Sequence, residues 1–166
     1  VLITKGLLYC TDSEDALAGV IAHELGHIQL KHGIGAIKAN RVTAAAVESS
    51  ATMAVGAEKK TDLKFLEDAS KEIVTKLVNS GYSKSQEYDA DRFAVNLMAK
   101  AGYDPNAMTE MLRMMSEKQK NDHRGFGKTH PSAALRIKYV EKETKKLTGN
   151  YNRSERLNRY KKNKLN

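Results

Sequence analysis

The sequence predicts a mainly α fold of about six helices, with a small β element at the N-terminus. Apolar residues recur at helical spacing through several long segments. Capping residues and glycines separate those segments. Only 6% of residues are aromatic, with no Trp and two Pro, a composition suited to long helices rather than strands and turns. At 166 residues, 40% hydrophobic and 29% charged, the chain is expected to form one domain over 1–147 and a basic tail over 148–166.

Residues 1–4 read as a short β-branched strand. No strand precedes it to pair with, so the chain is expected to be an N-terminally truncated piece of something longer. Thr11-Asp12-Ser13-Glu14 fits a capping box and should open the first helix, which would run to about His32 and stop at Gly33. An Ala-rich second helix is expected over 35–57. A third is expected over 61–81, with Leu63, Leu66, Ala69, Ile73, Leu77 and Val78 as its apolar stripe. Ser83-Lys84-Ser85-Gln86 is another capping box and opens a fourth helix ending at Gly102. Asp104 before Pro105 marks the start of a fifth, to about Lys120, with Met108, Met111, Leu112 and Met115 facing inward. Residues 121–130 form a polar loop, and a sixth helix should cover 131–147.

Net charge is +8, from 28 basic and 20 acidic residues. Much of the excess lies late in the chain, in Lys145, Lys146, Arg153, Arg156, Arg159, Lys161, Lys162 and Lys164. Such a run is expected to be solvated. No nucleic-acid motif accompanies it, so nucleic acid is not an expected partner. The single cysteine, Cys10, excludes an intrachain disulfide. No signal peptide is evident, and no run of 18 apolar residues exists to span a membrane; the nearest candidate, 42–57, carries Glu48.

His23-Glu24-Leu25-Gly26-His27 carries the chemistry. Two histidines four apart on a helix stack on one face and can converge on one zinc ion. The glutamate between them projects beside the metal, where it can take a proton from water. That is the arrangement of a zinc hydrolase, most often a protease. The flanks, Ala16 to Ala22 and then Ile28 and Leu30, are apolar and suggest a buried helix, in which unpaired polar groups would be costly.

A catalytic zinc takes three protein ligands and keeps one position open. Glu87, in the first turn of the fourth helix, is the best third candidate; Cys10 is a weak one. Asp91 lies one turn beyond Glu87 on the same face and would accept the free N–H of His23 or His27. The bland alternative is that Glu87, Asp89 and Asp91 merely complement the helix dipole, and Asp89 is assigned to that role. His32, about 140° around the helix from His27, is expected to be exposed or capping. His123 is expected to be solvated. His130, fixed between a loop and a helix start with Arg136 following, stays open between helix entry and function.

These motifs occur in a recognisable order: His23 to His27, then Glu87-Tyr88-Asp89-Ala90-Asp91 between Gly81-Tyr82-Ser83 and Phe93, then Gly102-Tyr103-Asp104-Pro105, then His130-Pro131-Ser132 with Arg136. In this, residues 2–139 resemble the HtpX/CAAX-prenyl-protease-like family of zinc metallopeptidases, which are gluzincins. They are most similar to its soluble bacterial, periplasmic and often lipoprotein-type members concerned with envelope quality control. The resemblance implies a zincin-like metallopeptidase domain with one zinc ion per chain. It implies His23, His27 and Glu87 as metal ligands, Glu24 as general base and Asp91 as the carboxylate behind a ligand. His130 would stabilise the transition state or cap the metal at rest, and Arg136 would orient substrate or brace the site. Expected substrates are extended or unfolded polypeptides, taken up on a strand edge. Membrane-embedded relatives carry transmembrane helices between the two motifs; none is expected here, although membrane association of the full-length protein fits the lipoprotein-type members. The contending reading is a metal-bound chaperone-like or binding module whose site is capped and inactive.

Overall fold

A computed structural model describes residues 1, 3, 5–36, 71, 75, 81–119, 130 and 133–163. The helices expected over 35–57 and 61–81, His123 and most of the 121–130 loop lie almost wholly outside these. The described chain is helical: α1 (Lys5–Leu8), α2 (Glu14–Gln29), α3 (Lys84–Lys100), α4 (Asn106–Gln119), α5 (Ala133–Thr144) and α6 (Ser154–Asn163). Of the expected β element, Val1 and Ile3 lie in no strand, and helix begins at Lys5. A strand is held by its ladder, and no partner strand is present among the described residues. None of the described helices is long and apolar enough to cross a membrane.

The helix ends show why the elements form where they do. Ser13, not Thr11, caps α2, accepting a hydrogen bond from the Ala16 N–H. Thr11 is instead buried, with its hydroxyl 2.6 Å from that of Tyr160 in α6. At α3 both halves of the capping box form: the Gln86 N–H donates to Ser83 Oγ, and the Ser83 N–H donates to the Gln86 side chain. Asp104 caps α4 by accepting the Asn106 N–H at 2.9 Å.

α2 packs on α3 and α4, and α5 closes over both. Val20, Ala94, Val95 and Met98 form the core with Met108, Met111, Leu112 and Met115 of α4, the stripe expected from sequence. Burying a side chain of this size is worth roughly 1.5–3 kcal/mol, so this stripe fixes α4 firmly. α2 is not apolar-buried all round: Leu25 and Ile28 are exposed on its far side.

Two departures matter later. α2 ends at Gln29 rather than His32, and Lys31 adopts a left-handed conformation (φ 56°) before the chain is helical again over 32–36. The basic end keeps Lys161 and Lys162 exposed, but part of it is folded and docked. α6 lies on α2, with Arg156 clamped to Asp15 and Arg159 to Glu14. Arg153, just before it, reaches Glu110 on α4. These acidic partners, far away in sequence, turn repelling cations into docking groups.

Candidate metal centre

One glycine-dependent fact of packing creates the centre. A Cβ on Gly26 would stand 3.0 Å from Ala90 O and 3.1 Å from Ala90 Cα, so α2 and α3 touch backbone to backbone there. Gly26 lies within the turn from His23 to His27, and Ala90 lies within the turn from Glu87 to Asp91. The close crossing therefore sets the two i, i+4 pairs face to face. Both pairs are buried.

Four donor atoms converge. His23 Nε2 is 3.1 Å from His27 Nε2 and 3.2 Å from His130 Nδ1. Glu87 Oε1 is 3.0 Å from His130 Nδ1 and 3.3 Å from His27 Nε2, and Glu87 Oε2 is 3.6 Å from His23 Nε2. His23, His27, Glu87 and His130 thus form one group able to hold a metal ion. Ligands at 2.0–2.1 Å around a tetrahedral ion are separated by about 3.3 Å, and the observed spacings bracket that value. Glu24 stands at the edge. Its Oε1 is buried without a hydrogen bond among the described residues, 3.3 Å from His130 Nε2.

The other side of the cluster is charged. Asp91 Oδ1 lies 3.0 Å from His23 Nδ1. Arg136, wholly buried on α5, donates to both Asp91 oxygens, at 2.6 and 2.7 Å, and its Nη1 is 2.5 Å from Glu87 Oε2. Burial works to raise the Glu87 carboxyl, but hydrogen bonds from His130, His23 and His27 and the Arg136 charge hold it well below the ordinary carboxylate range. Asp91 is likewise kept ionised against burial, chiefly by Arg136 and then His23. Burial and Arg136 push the His23 imidazole down, yet Asp91 and Glu87 leave it raised overall. His27 is lowered, by burial first.

Each candidate residue that falls among the described residues has a definite place. His23, His27, Glu87 and His130 come together, with Glu24 beside them and Asp91 and Arg136 behind. Asp89 stays outside in an exposed pair with Arg92, and Cys10 bonds locally to Gly6 O. His32 departs from expectation. It is buried, with Nδ1 2.8 Å from His27 Nδ1, because the break at Lys31 turns it back toward the cluster. Tyr82, which the sequence offers only as motif context, stacks its ring on His27 at 3.9 Å with 19° between planes. Its position just before the Ser83 cap, where the entering chain is held fixed, is the signal that would have found it.

A family model described as Peptidase family M48 matches residues 1–144. The chain is 30% identical over 147 residues to mitochondrial metalloendopeptidase OMA1 of Schizosaccharomyces pombe, covering 85% of this chain and 40% of that one. It is 30% identical over 145 residues to metalloprotease LoiP of Escherichia coli, covering 84% and 53%. It is 29% identical over 121 residues to a putative beta-barrel assembly-enhancing protease of Vibrio cholerae, covering 70% and 24%. The chain thus spans from a quarter to about half the length of these relatives. No solved structure matches it.

Proposed function

The chain belongs to peptidase family M48, and from that premise we propose that it is a zinc-dependent endopeptidase acting on extended or unfolded polypeptide. The observation that carries this is the convergence of three imidazoles and one carboxylate at tetrahedral spacing, with a buried Glu24 oxygen at the edge. His23, His27 and Glu87 would hold the metal. Nitrogen and oxygen donors of this kind suit zinc, and the buried, ionised Glu87 supplies charge to match it. When bound, zinc supplies Lewis acidity that polarises a carbonyl and makes water acidic near neutral pH.

Glu24 does the proton work. Its Oε1 takes a proton from the attacking water and delivers it to the leaving amine as the peptide C–N bond breaks. Asp91 accepts the outer N–H of His23 and fixes that ring. Arg136 keeps Asp91 and Glu87 ionised where neither meets water. The finer assignment follows the ordered motifs, which resemble HtpX/CAAX-prenyl-protease-like members. Relatives named beta-barrel assembly-enhancing protease support a role in bacterial envelope quality control, hence the periplasm or envelope.

A second reading rests on one distance set. His130 Nδ1 occupies a corner of the cluster, 3.2 Å from His23 Nε2 and 3.0 Å from Glu87 Oε1. An ion held by all four side chains would have no corner for water, so His130 would cap a resting site. One assay addresses both readings: zinc content beside cleavage of unfolded casein. Glu24→Gln should keep one zinc per chain and lose turnover by about 10²–10⁴-fold, the range of a lost general base. Parent-rate cleavage by that variant ends the assignment. Faster cleavage by His130→Ala marks a cap, and slower cleavage marks a transition-state contact.

A further inference from the structure

We infer that His32 is a positioning residue for the metal centre, holding the His27 ring in the one tautomer that can coordinate; this rests on the zinc reading above. The argument starts from the two nitrogens of His27. Nε2 faces the donor cluster, 3.1 Å from His23 Nε2 and 3.3 Å from Glu87 Oε1. To ligate there it must present a lone pair, so the proton of the neutral ring sits on Nδ1. That nitrogen is 2.8 Å from His32 Nδ1, which leaves one assignment. The His27 Nδ1–H donates, His32 Nδ1 accepts, and the His32 proton lies on its own Nε2.

The geometry around the pair restrains the ring further. Tyr82 stacks against the face of His27, while His32 meets its edge, with ring centroids 4.9 Å apart and planes at 72°. The stack restrains the plane of the ring, and the hydrogen bond determines which edge points at the cluster. His32 reaches this position only because Lys31 is left-handed; an unbroken helix would carry it about 140° away. The two histidines of the motif are therefore held by different chemistry. His23 leans on a carboxylate anchored by Arg136, and His27 leans on a neutral imidazole.

The test compares zinc affinity, by chelator competition, in the parent, His32→Leu and His32→Asn. Leu keeps apolar bulk without an acceptor. Asn returns a carbonyl oxygen near the Nδ1 position. Loss of an outer hydrogen-bond partner costs about 10–100-fold in metal affinity, so Leu should bind that much more weakly and Asn should recover most of the loss. If Leu fails to fold, His32→Gln replaces it, since its acceptor falls nearer the Nε2 position. A second readout needs no metal: ¹⁵N NMR of the imidazoles should show His27 protonated at Nδ1 in the parent and no longer fixed there in the Leu variant. Parent-like zinc affinity in Leu, failure of Asn to restore it, or a His27 ring protonated at Nε2 in the metal-free parent would each overturn the inference. A parent that binds no zinc would end the zinc reading alone, and the tautomer would then decide the role of His32.

Discussion

At the N-terminal end of α2, Glu14 and Asp15, with Glu110 and Asp104 beside them, meet Arg159, Arg156 and Arg153, and every one of these carboxylates touches a guanidinium. Two to three turns along α2, where α3 crosses it, Glu87 and Asp91 share one guanidinium, Arg136. The first cluster lies partly in water, and its carboxylates are each paired directly with an arginine. The second is buried and carries more negative than positive charge, with three imidazoles turned inward. A buried excess of negative charge is costly unless a cation answers it. The first end therefore docks α6, whereas the second is built to receive an ion.

Arg136→Met should break that contrast most severely. It removes the guanidinium that Glu87 and Asp91 share, and losing one partner of a buried ion pair costs about 3–5 kcal/mol. Urea unfolding of the metal-free protein measures it. Adding zinc should recover part of the loss, because an ion that binds only the folded state stabilises it by mass action. An unchanged unfolding midpoint would mean that Arg136 is not the counter-charge of this site.

Asp15→Ala should come next, at about 1.5–3 kcal/mol, the worth of hydrogen bonds to a charged group. It strips Arg156 and the Asp104 N–H of their shared acceptor. Zinc affinity should not change, which separates the two ends. The same groups give the α6 contact a pH dependence. Asp15 resists burial through Arg156 and the Asp104 N–H and ends below its ordinary 3.8; Arg159 lowers Glu14, and Arg153 lowers Glu110. Carboxyls depressed on folding stabilise the protein above their ordinary values and lose that contribution as pH falls through the folded ones. Acid titration of the parent should thus loosen α6 below about pH 4, and Asp15→Ala should flatten that response.

What sequence could reveal follows the range of the interactions involved. Turn-to-turn spacing put His23 with His27 and Glu87 with Asp91, and the capping box at Ser83 oriented the second pair; these are local rules. His32 was misplaced because a left-handed Lys31 is rare for a residue with a Cβ, and no neighbouring sequence signals it. The docking of α6 was illegible for another reason. Arg156 and Arg159 look solvated until Glu14 and Asp15, some 140 residues earlier, are known to lie opposite. The strand expected over 1–4 is not seen at Val1 or Ile3, since β-branched side chains favour a strand but cannot supply its partner.

The smallest effect concerns spacing along α2. Gly19 and Gly26 both face inward, but different neighbours meet them. A Cβ at Gly19 would touch the sulfurs of Met108 and Met98 at 3.2 and 3.3 Å, the ends of side chains that can swing aside. At Gly26 it would press on the Ala90 backbone at 3.0 Å, which cannot. Alanine gains about 0.8–1 kcal/mol of helix propensity at either position. Gly19→Ala should therefore be neutral to stabilising. Gly26→Ala adds an overpacking cost of about 1–3 kcal/mol and should be destabilising by about 1 kcal/mol net. Forcing α2 from α3 there also moves His23 and His27 away from Glu87, so zinc affinity should fall for Gly26→Ala and hold for Gly19→Ala. Equal affinities in the two variants would show that the crossing at Ala90 does not set the distances of the centre.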